Sequence, residues 1–505
     1  MAVDTARRAY RRLLERSREL AQLRGIMAAL RWDEQLNLPR AAAPHRAREL
    51  AYLARLLHQK ATGKRMGAIL SELAGVDFPP DSAEAANLRL LARQYERLAK
   101  IPPSLMSRLA HAATLGQSVW AAARRRADFA LILPQLSRLV ALRRKMAACL
   151  GWQDEPYDAL LQNYDPEYTT RQVEAIFSVL KAELVPLLAA LAGAPQRPDG
   201  ELLRVDFPLE RQQVFGRAVA VSLGFDFDRG RLDTSLHPFC EALNPGDCRM
   251  TTRYDSRWFP EGFYGIVHEV GHGLYEQGLP ESAYGTPLGE TVSYGMHEAQ
   301  SLLWENLVGR SLAFWKHFFP RAQQVFPEAL LHVSLEDFHF AVNEVRAQPI
   351  RVDADEITHN LHVLMRFEVE RDLISGRMEA ADVPSAWNEK SRQYLGIAPE
   401  NDGEGCLQDI HWFEGLFGTF PSYALGSVYA AQIFAAAARA LPELEEDFAR
   451  GRFLPLRDWL CENIYRHGRR YDARQLVQRI CGGEVDAGAL VRYLKAKYLP
   501  LYGLA

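Results

Sequence analysis

Cysteine is scarce in this 505-residue chain, and the six present (Cys149, Cys240, Cys248, Cys406, Cys461, Cys481) form no Cys-x-x-Cys pair. That excludes a disulfide framework and a thiolate zinc site, and it reads as the reduced thiols of a cytoplasmic protein. Long apolar runs are missing too. Crossing a bilayer takes about 20 consecutive apolar residues. The best run, around 430–440, is short and Ala-rich, so no membrane partner is expected. The N-terminus carries Asp4 and a string of Arg with no apolar segment, which predicts no secretory signal; Asp4, Glu15 and Glu19 argue against a transit peptide. Charge of one sign is lacking as well. A net charge of −3 makes no global case for a nucleic-acid partner or an anionic membrane surface. The one concentrated cluster, Arg124-Arg125-Arg126, reads as a solvated helix face. There is no internal repeat and no low-complexity tract.

What is present is helical periodicity. In residues 5–60, Leu13, Leu14, Leu20, Leu23 and Met27 recur at three- and four-residue steps, with a break expected at Trp32-Asp33 and Pro39. Residues 83–150 read as long amphipathic helices interrupted at Pro102-Pro103, and 157–170, with Asp165-Pro166, reads as a loop. Helix resumes to about Leu191, and 195–200 is a short surface turn. Residues 246–255 change character: Cys248 to Tyr254 alternates and is the best strand candidate. From Phe263 onwards the pattern is helical again. The chain therefore reads as mainly α with a little sheet, and its length alone suggests about three domains.

The chemistry concentrates in Ile266-Val267-His268-Glu269-Val270-Gly271-His272. Residues i and i+4 share a helix face, so His268 and His272 can offer two imidazole nitrogens to one metal ion. Glu269 can reach a metal-bound water as general base. A solvated helix face is the ordinary alternative. Two features oppose it: Tyr264, Ile266 and Val267 are apolar, so an unpaired His or Glu there would be costly, and Gly271 and Gly273 weaken a helix unless close backbone approach requires them. A catalytic zinc takes a third protein ligand. Glu298, at the start of the next helix, is a candidate, with His297 and Glu305 as competitors; a Glu in a first turn is also an ordinary helix-dipole partner.

Five short blocks stand in order along the chain: Asp247-Cys248-Arg249-Met250-Thr251; His268-Glu269-Val270-Gly271-His272; His297-Glu298-Ala299-Gln300; Ile350-Arg351-Val352-Asp353-Ala354-Asp355; and Gly405-Cys406-Leu407-Gln408-Asp409-Ile410-His411-Trp412. With Trp32-Asp33, Tyr157-Asp158-Ala159-Leu160-Leu161 and Phe420-Pro421-Ser422-Tyr423 they resemble the M32 metallocarboxypeptidases, the thermostable carboxypeptidase Taq type, over nearly the whole chain. The resemblance implies one large, mainly α, two-lobed catalytic unit with a long substrate groove and a small β-sheet near the active site, akin to neurolysin and angiotensin-converting enzyme. Within 1–505 it implies an N-terminal helical lobe (about 1–235), a metal-site region (236–430) and C-terminal helices (431–505). It makes Glu298 the third ligand of a Zn2+ ion, with Co2+ supporting activity, and it implies peptide substrates and a homodimer. Ala299 departs from the family, which usually has Ser there; a lost hydroxyl beside a ligand can tune metal affinity.

The expected reaction is release of C-terminal residues, with Glu269 as general base. His411 and Tyr423 are the candidate donors to the oxyanion, by analogy with related helical peptidases; packing around the site is their alternative. Arg351 is the first choice for the substrate's terminal carboxylate, against a salt bridge to Asp353, Asp355 or Glu356. Arg249 is a second candidate, and with Thr251 it is expected to hold a strand edge that pairs with the substrate backbone. Asp247 and Asp409 are expected to orient neighbours, and His237 to be an ordinary polar residue. An oligopeptidase cutting internal bonds in the same groove is one competing function; a helical binding protein with a vestigial metal site is another.

Overall fold

Good helix formers at core-facing spacing produce a 35-residue opening helix, Ala2–Leu36, in the computed structural model, which describes residues 2–504. Trp32 and Asp33 lie inside this helix, so the break falls later than expected. It comes after Leu36, through the turn Arg40–Ala42, and Ala43–Thr62 follows with Pro44 in its first turn, where no amide is needed. Helices Lys64–Leu73, Ala83–Ala99, Pro103–Arg126 and Leu133–Leu150 come next, with the expected division at Pro102-Pro103. Arg125 and Arg126 are exposed. The 157–170 loop contains one helical turn, Asp158–Leu161, whose Asp158 Oδ1 accepts from the Thr170 amide at 2.7 Å and from its hydroxyl at 2.6 Å.

The helix opened there, Thr170–Ala192, corrects the expectation about apolar runs. It is long and apolar enough to span a bilayer by length and composition. Its Val173, Phe177, Leu180, Leu184, Leu187 and Leu191 instead bury one face at helical spacing in the protein core.

The sheet has three strands, β1 (Gly230–Thr234), β2 (Phe239–Asn244) and β3 (Asp247–Thr252), in the order β1-β3-β2. β3 runs parallel to β1 and antiparallel to β2. This overturns the idea that Arg249 and Thr251 present a strand edge. They lie on the central strand, whose ladder positions are taken on both sides. Arg249 Nε and Nη2 each reach Asp247 at 2.7 Å, and the buried Thr251 hydroxyl meets Ser235 Oγ at 2.6 Å. The edge is β2. All six thiols are free, with Cys240 and Cys248 3.6 Å apart across β2 and β3.

Two apolar clusters form. The smaller involves Leu13, Leu20, Met66, Ile69, Leu73 and Leu91 of the N-terminal helices. The larger runs from Ile101 to Tyr502 and encloses the helix that carries His268 and His272, Phe259–Gly278. Phe215, Trp315 and Phe326 pack against Phe259 and Phe263 in its first turns, so the histidines project from a packed base.

Candidate metal centre

One face of Phe259–Gly278 presents His268 and His272, with ring centroids 4.9 Å apart. The next long helix, Tyr294–Leu302, is capped by Ser293, whose hydroxyl accepts from the Met296 amide at 3.2 Å. That cap places Glu298 beyond the first turn, which removes its helix-dipole reading. Glu298 Oε2 lies 3.5 Å from His272 Nε2 and 3.9 Å from His268 Nε2. One donor atom from each of the three residues falls within 4.8 Å of the others.

Glycine permits this convergence. A Cβ on Gly271 would stand 2.5 Å from the Gln300 carbonyl oxygen and 2.6 Å from Ser301 Cα, so the two helices touch backbone to backbone. A Cβ on Gly426 would meet Glu298 Cβ and Cγ at 2.9 Å. Gly273 instead makes room for the Phe225 ring. Gly271→Ala gains up to about 1 kcal/mol of helix propensity, but the blocking atoms are backbone and cannot swing away. Net destabilisation of roughly 1–2 kcal/mol is expected, read as a lower thermal midpoint; an unchanged midpoint would contradict the close contact.

The competitors for the third position have other partners. Glu305 lies in a π-helical segment, Leu303–Val308, a widening of the helix that aims its carboxylate back at His268. Glu305 Oε2 is 2.9 Å from His268 Nδ1, and Arg310 donates to Glu305 Oε1 at 3.1 Å. The carboxylate thus fixes the ring with Nε2 turned to the centre. His297 Nε2 is 3.0 Å from Glu276 Oε1, and its ring stacks on His272 at 4.4 Å.

The electrostatics suit a cation. Burial disfavours charge on His268, yet Glu298 and Glu305 outweigh it and raise its pKa to about 10. Burial opposes ionisation of Glu305 as well, but His268 and Arg310 pull it down to about 2. His272, pressed by burial and by His297, stays neutral. Two imidazoles and a carboxylate, one imidazole backed by a second carboxylate, form a fitting donor set for a catalytic divalent metal. Glu269 has a buried Oε2 with no partner, and burial, reinforced by Glu298, raises its carboxyl to about 7. A carboxylate poised there can take and return a proton near neutrality.

A second cluster faces this one. Tyr423 sits on helix Phe420–Ala440, one turn before Gly426, and its hydroxyl is 3.3 Å from His411 Nε2. Burial lowers His411 to about 4 and raises Tyr423 to about 12, so both stay neutral at ordinary pH. Arg351 is buried and pairs with none of the nearby acids that the sequence suggested. Its partner is Asp409, reached from Nη2 at 2.8 Å and from Nε at 3.2 Å. Asp409 also holds the fully buried Arg366 at 2.7 Å and lies 3.9 Å from His411 Nδ1. Two guanidiniums share one carboxylate, leaving a net positive charge beside Tyr423, whose ring centre is 5.1 Å from the Arg351 guanidinium carbon. Gln408 Oε1 accepts from the Arg351 amide and from Arg366 Nη2, both at 2.7 Å. His237 lies apart, its ring lowered by burial and by Arg253.

Sequence reasoning missed the roles of Glu305, Arg366, Gln408 and Gly426. Arg366 left a signal: His362, Arg366 and Glu370, one turn apart, share a face of helix Glu356–Ser375 and cannot all be buried without partners.

A family model described as carboxypeptidase Taq (M32) metallopeptidase matches residues 12–498. Thermostable carboxypeptidase 1 of Thermus thermophilus is 46% identical over 99% of this chain and 100% of its own. Carboxypeptidase 1 of Bacillus subtilis is 36% identical, with the same coverage. The crystal structure of the M32 carboxypeptidase from Deinococcus radiodurans superposes with a TM-score of 0.94 at 40% identity, over 98% of this chain and 100% of that one.

Proposed function

The chain belongs to the carboxypeptidase Taq (M32) family of metallopeptidases and is a metal-dependent carboxypeptidase, and from that premise we propose which of its residues carry the reaction. His268, His272 and Glu298 hold the metal, with zinc as the resident ion and cobalt as a substitute that supports activity. Bound there, the ion supplies a Lewis acid for the scissile carbonyl and acidifies a water. Glu269 takes the water's proton on its unpartnered oxygen and delivers it to the leaving amine. Tyr423 and His411 donate hydrogen bonds to the oxyanion. Arg351, pre-oriented by Asp409 and Gln408, receives the terminal carboxylate of the peptide. We also propose a single catalytic unit, a homodimer and a cytoplasmic location.

The observation that carries this reading is the convergence of three donor atoms within 4.8 Å beside a buried carboxylate oxygen that has no other partner. The test lies in Arg351. Arg351→Ala is expected to lower kcat/KM on free-acid peptides by about 10- to 100-fold, the size of a charged hydrogen bond, chiefly through KM. Discrimination between a free acid and its C-terminal amide should shrink with it; an unchanged acid-to-amide ratio would remove Arg351 from carboxylate recognition.

A further inference from the structure

A cavity of about 730 Å³, within the size range of ligand sites, adjoins the metal centre without containing it. Glu276 and Tyr294 line it; Glu276 holds His297, the ring stacked on His272. On one wall lies β2, along which the opening helix Ala2–Leu36 packs, with Gly25 against the Leu243 carbonyl and Trp32 against Phe239. On another lies helix Ala83–Ala99, which contributes Arg93 and Arg97, one turn apart.

These two arginines are unusual in their partners. Arg93 Nη2 donates to the Pro166 carbonyl at 2.9 Å. Arg97 Nη2 donates to the Ala159 carbonyl at 2.9 Å and to Asn163 Oδ1 at 2.8 Å. Neither has a carboxylate within ion-pair distance among the described residues, whereas the cavity's other two arginines, Arg24 and Arg469, share Glu290 at 2.9 and 3.1 Å. Glu167 and Asp472 lie near Arg93 and act on its charge, but neither reaches it as an ion pair. Arg93 is exposed and Arg97 half-buried. Arginine stays charged, so two cations one turn apart line the cavity, held in place by neutral oxygens and open to an incoming anion. Among the described residues, Glu241, on β2, is the cavity's one carboxylate with no hydrogen-bonded side chain, and it lies on a different element from the two arginines.

We propose that Arg93 and Arg97 form an anion subsite for an acidic side chain of the peptide substrate, upstream of the scissile bond. The placement rests on the reading of Arg351 given above. With the terminal carboxylate at Arg351 and the scissile bond at the metal, the upstream residues extend towards a wall that Arg351 does not line. A peptide is favoured over a free anion because the cavity adjoins the metal centre, through Glu276 and His297, that the peptide must reach.

The experiment uses N-blocked hexapeptides with a single Glu, or Gln as control, moved through the upstream positions. At one or more positions the Glu peptide should be favoured in kcat/KM by about fivefold, as for one partly desolvated charge contact, and high salt should erode the preference. Arg93→Gln with Arg97→Gln should abolish the preference, and the Lys pair should retain it. Arg93→Gln alone, at an exposed position, guards against misfolding of the double variant. Calorimetric affinities of the same peptides for the Glu269→Gln protein read the same ratio without turnover. Equal values for Glu and Gln at every position, or a preference that survives the Gln pair, would overturn the subsite. Hydrolysis of the all-neutral peptide reports separately on the proposed function: its absence would count against that reading, and its presence with no Glu preference against the subsite alone.

Discussion

Glu269→Gln is expected to keep stoichiometric metal and lose kcat by roughly two to four orders of magnitude, the usual weight of a positioned general base. The amide occupies the same volume and removes only the ability to accept a proton. KM should therefore move little, because the lost interaction belongs to the transition state. The structural ground is the buried Glu269 oxygen with no partner, in surroundings that raise its carboxyl to about 7. Near-normal turnover in a metal-loaded variant would show that another group moves the proton. Loss of metal together with turnover would mean that Glu269 belongs to the ligand set.

The second large effect concerns Glu298. Glu298→Ala should abolish high-affinity metal binding and lower activity by about three orders of magnitude or more, since Lewis-acid assistance is worth several kcal/mol. Glu305→Gln supplies the scale. Its carboxylate touches His268 Nδ1 at 2.9 Å and no other member of the triad, so a 10- to 100-fold loss of metal affinity is expected, with activity recoverable at high metal. Thermal midpoints report the same ordering. Added metal should raise the midpoint of the unsubstituted protein, raise that of Glu305→Gln only at higher concentration, and leave Glu298→Ala unmoved. Equal losses for Glu298→Ala and Glu305→Gln would place both carboxylates on the ion.

Much of this was legible in the sequence where local pattern and site coincide. The i, i+4 histidines required one helix, and Gly271 inside it signalled backbone contact, which the Gln300 carbonyl supplies. The helix boundary at Pro102-Pro103 followed from local chemistry. Long-range pairing was not legible. β1 and β2 carry no strong alternation, and β2, with Glu241, Ala242 and Leu243, is built from residues that also suit a helix. Without them β3 looked like an edge, and Arg249 like a ligand group. Arg351 had three acids within five residues, yet its partner is Asp409, 58 positions away. Its own segment is a short turn, Arg351–Asp353, which buries the guanidinium towards Asp409 and Arg366. No spacing rule contains that choice.

The most direct measurement of the central claim is product analysis on one N-blocked peptide, offered as the free acid and as the C-terminal amide to zinc- or cobalt-loaded protein. The account predicts stepwise loss of single C-terminal residues from the acid, little cleavage of the amide, and no cleavage after chelation. Internal fragments from both peptides at similar rates would contradict it, as would undiminished release of terminal residues by the metal-free protein.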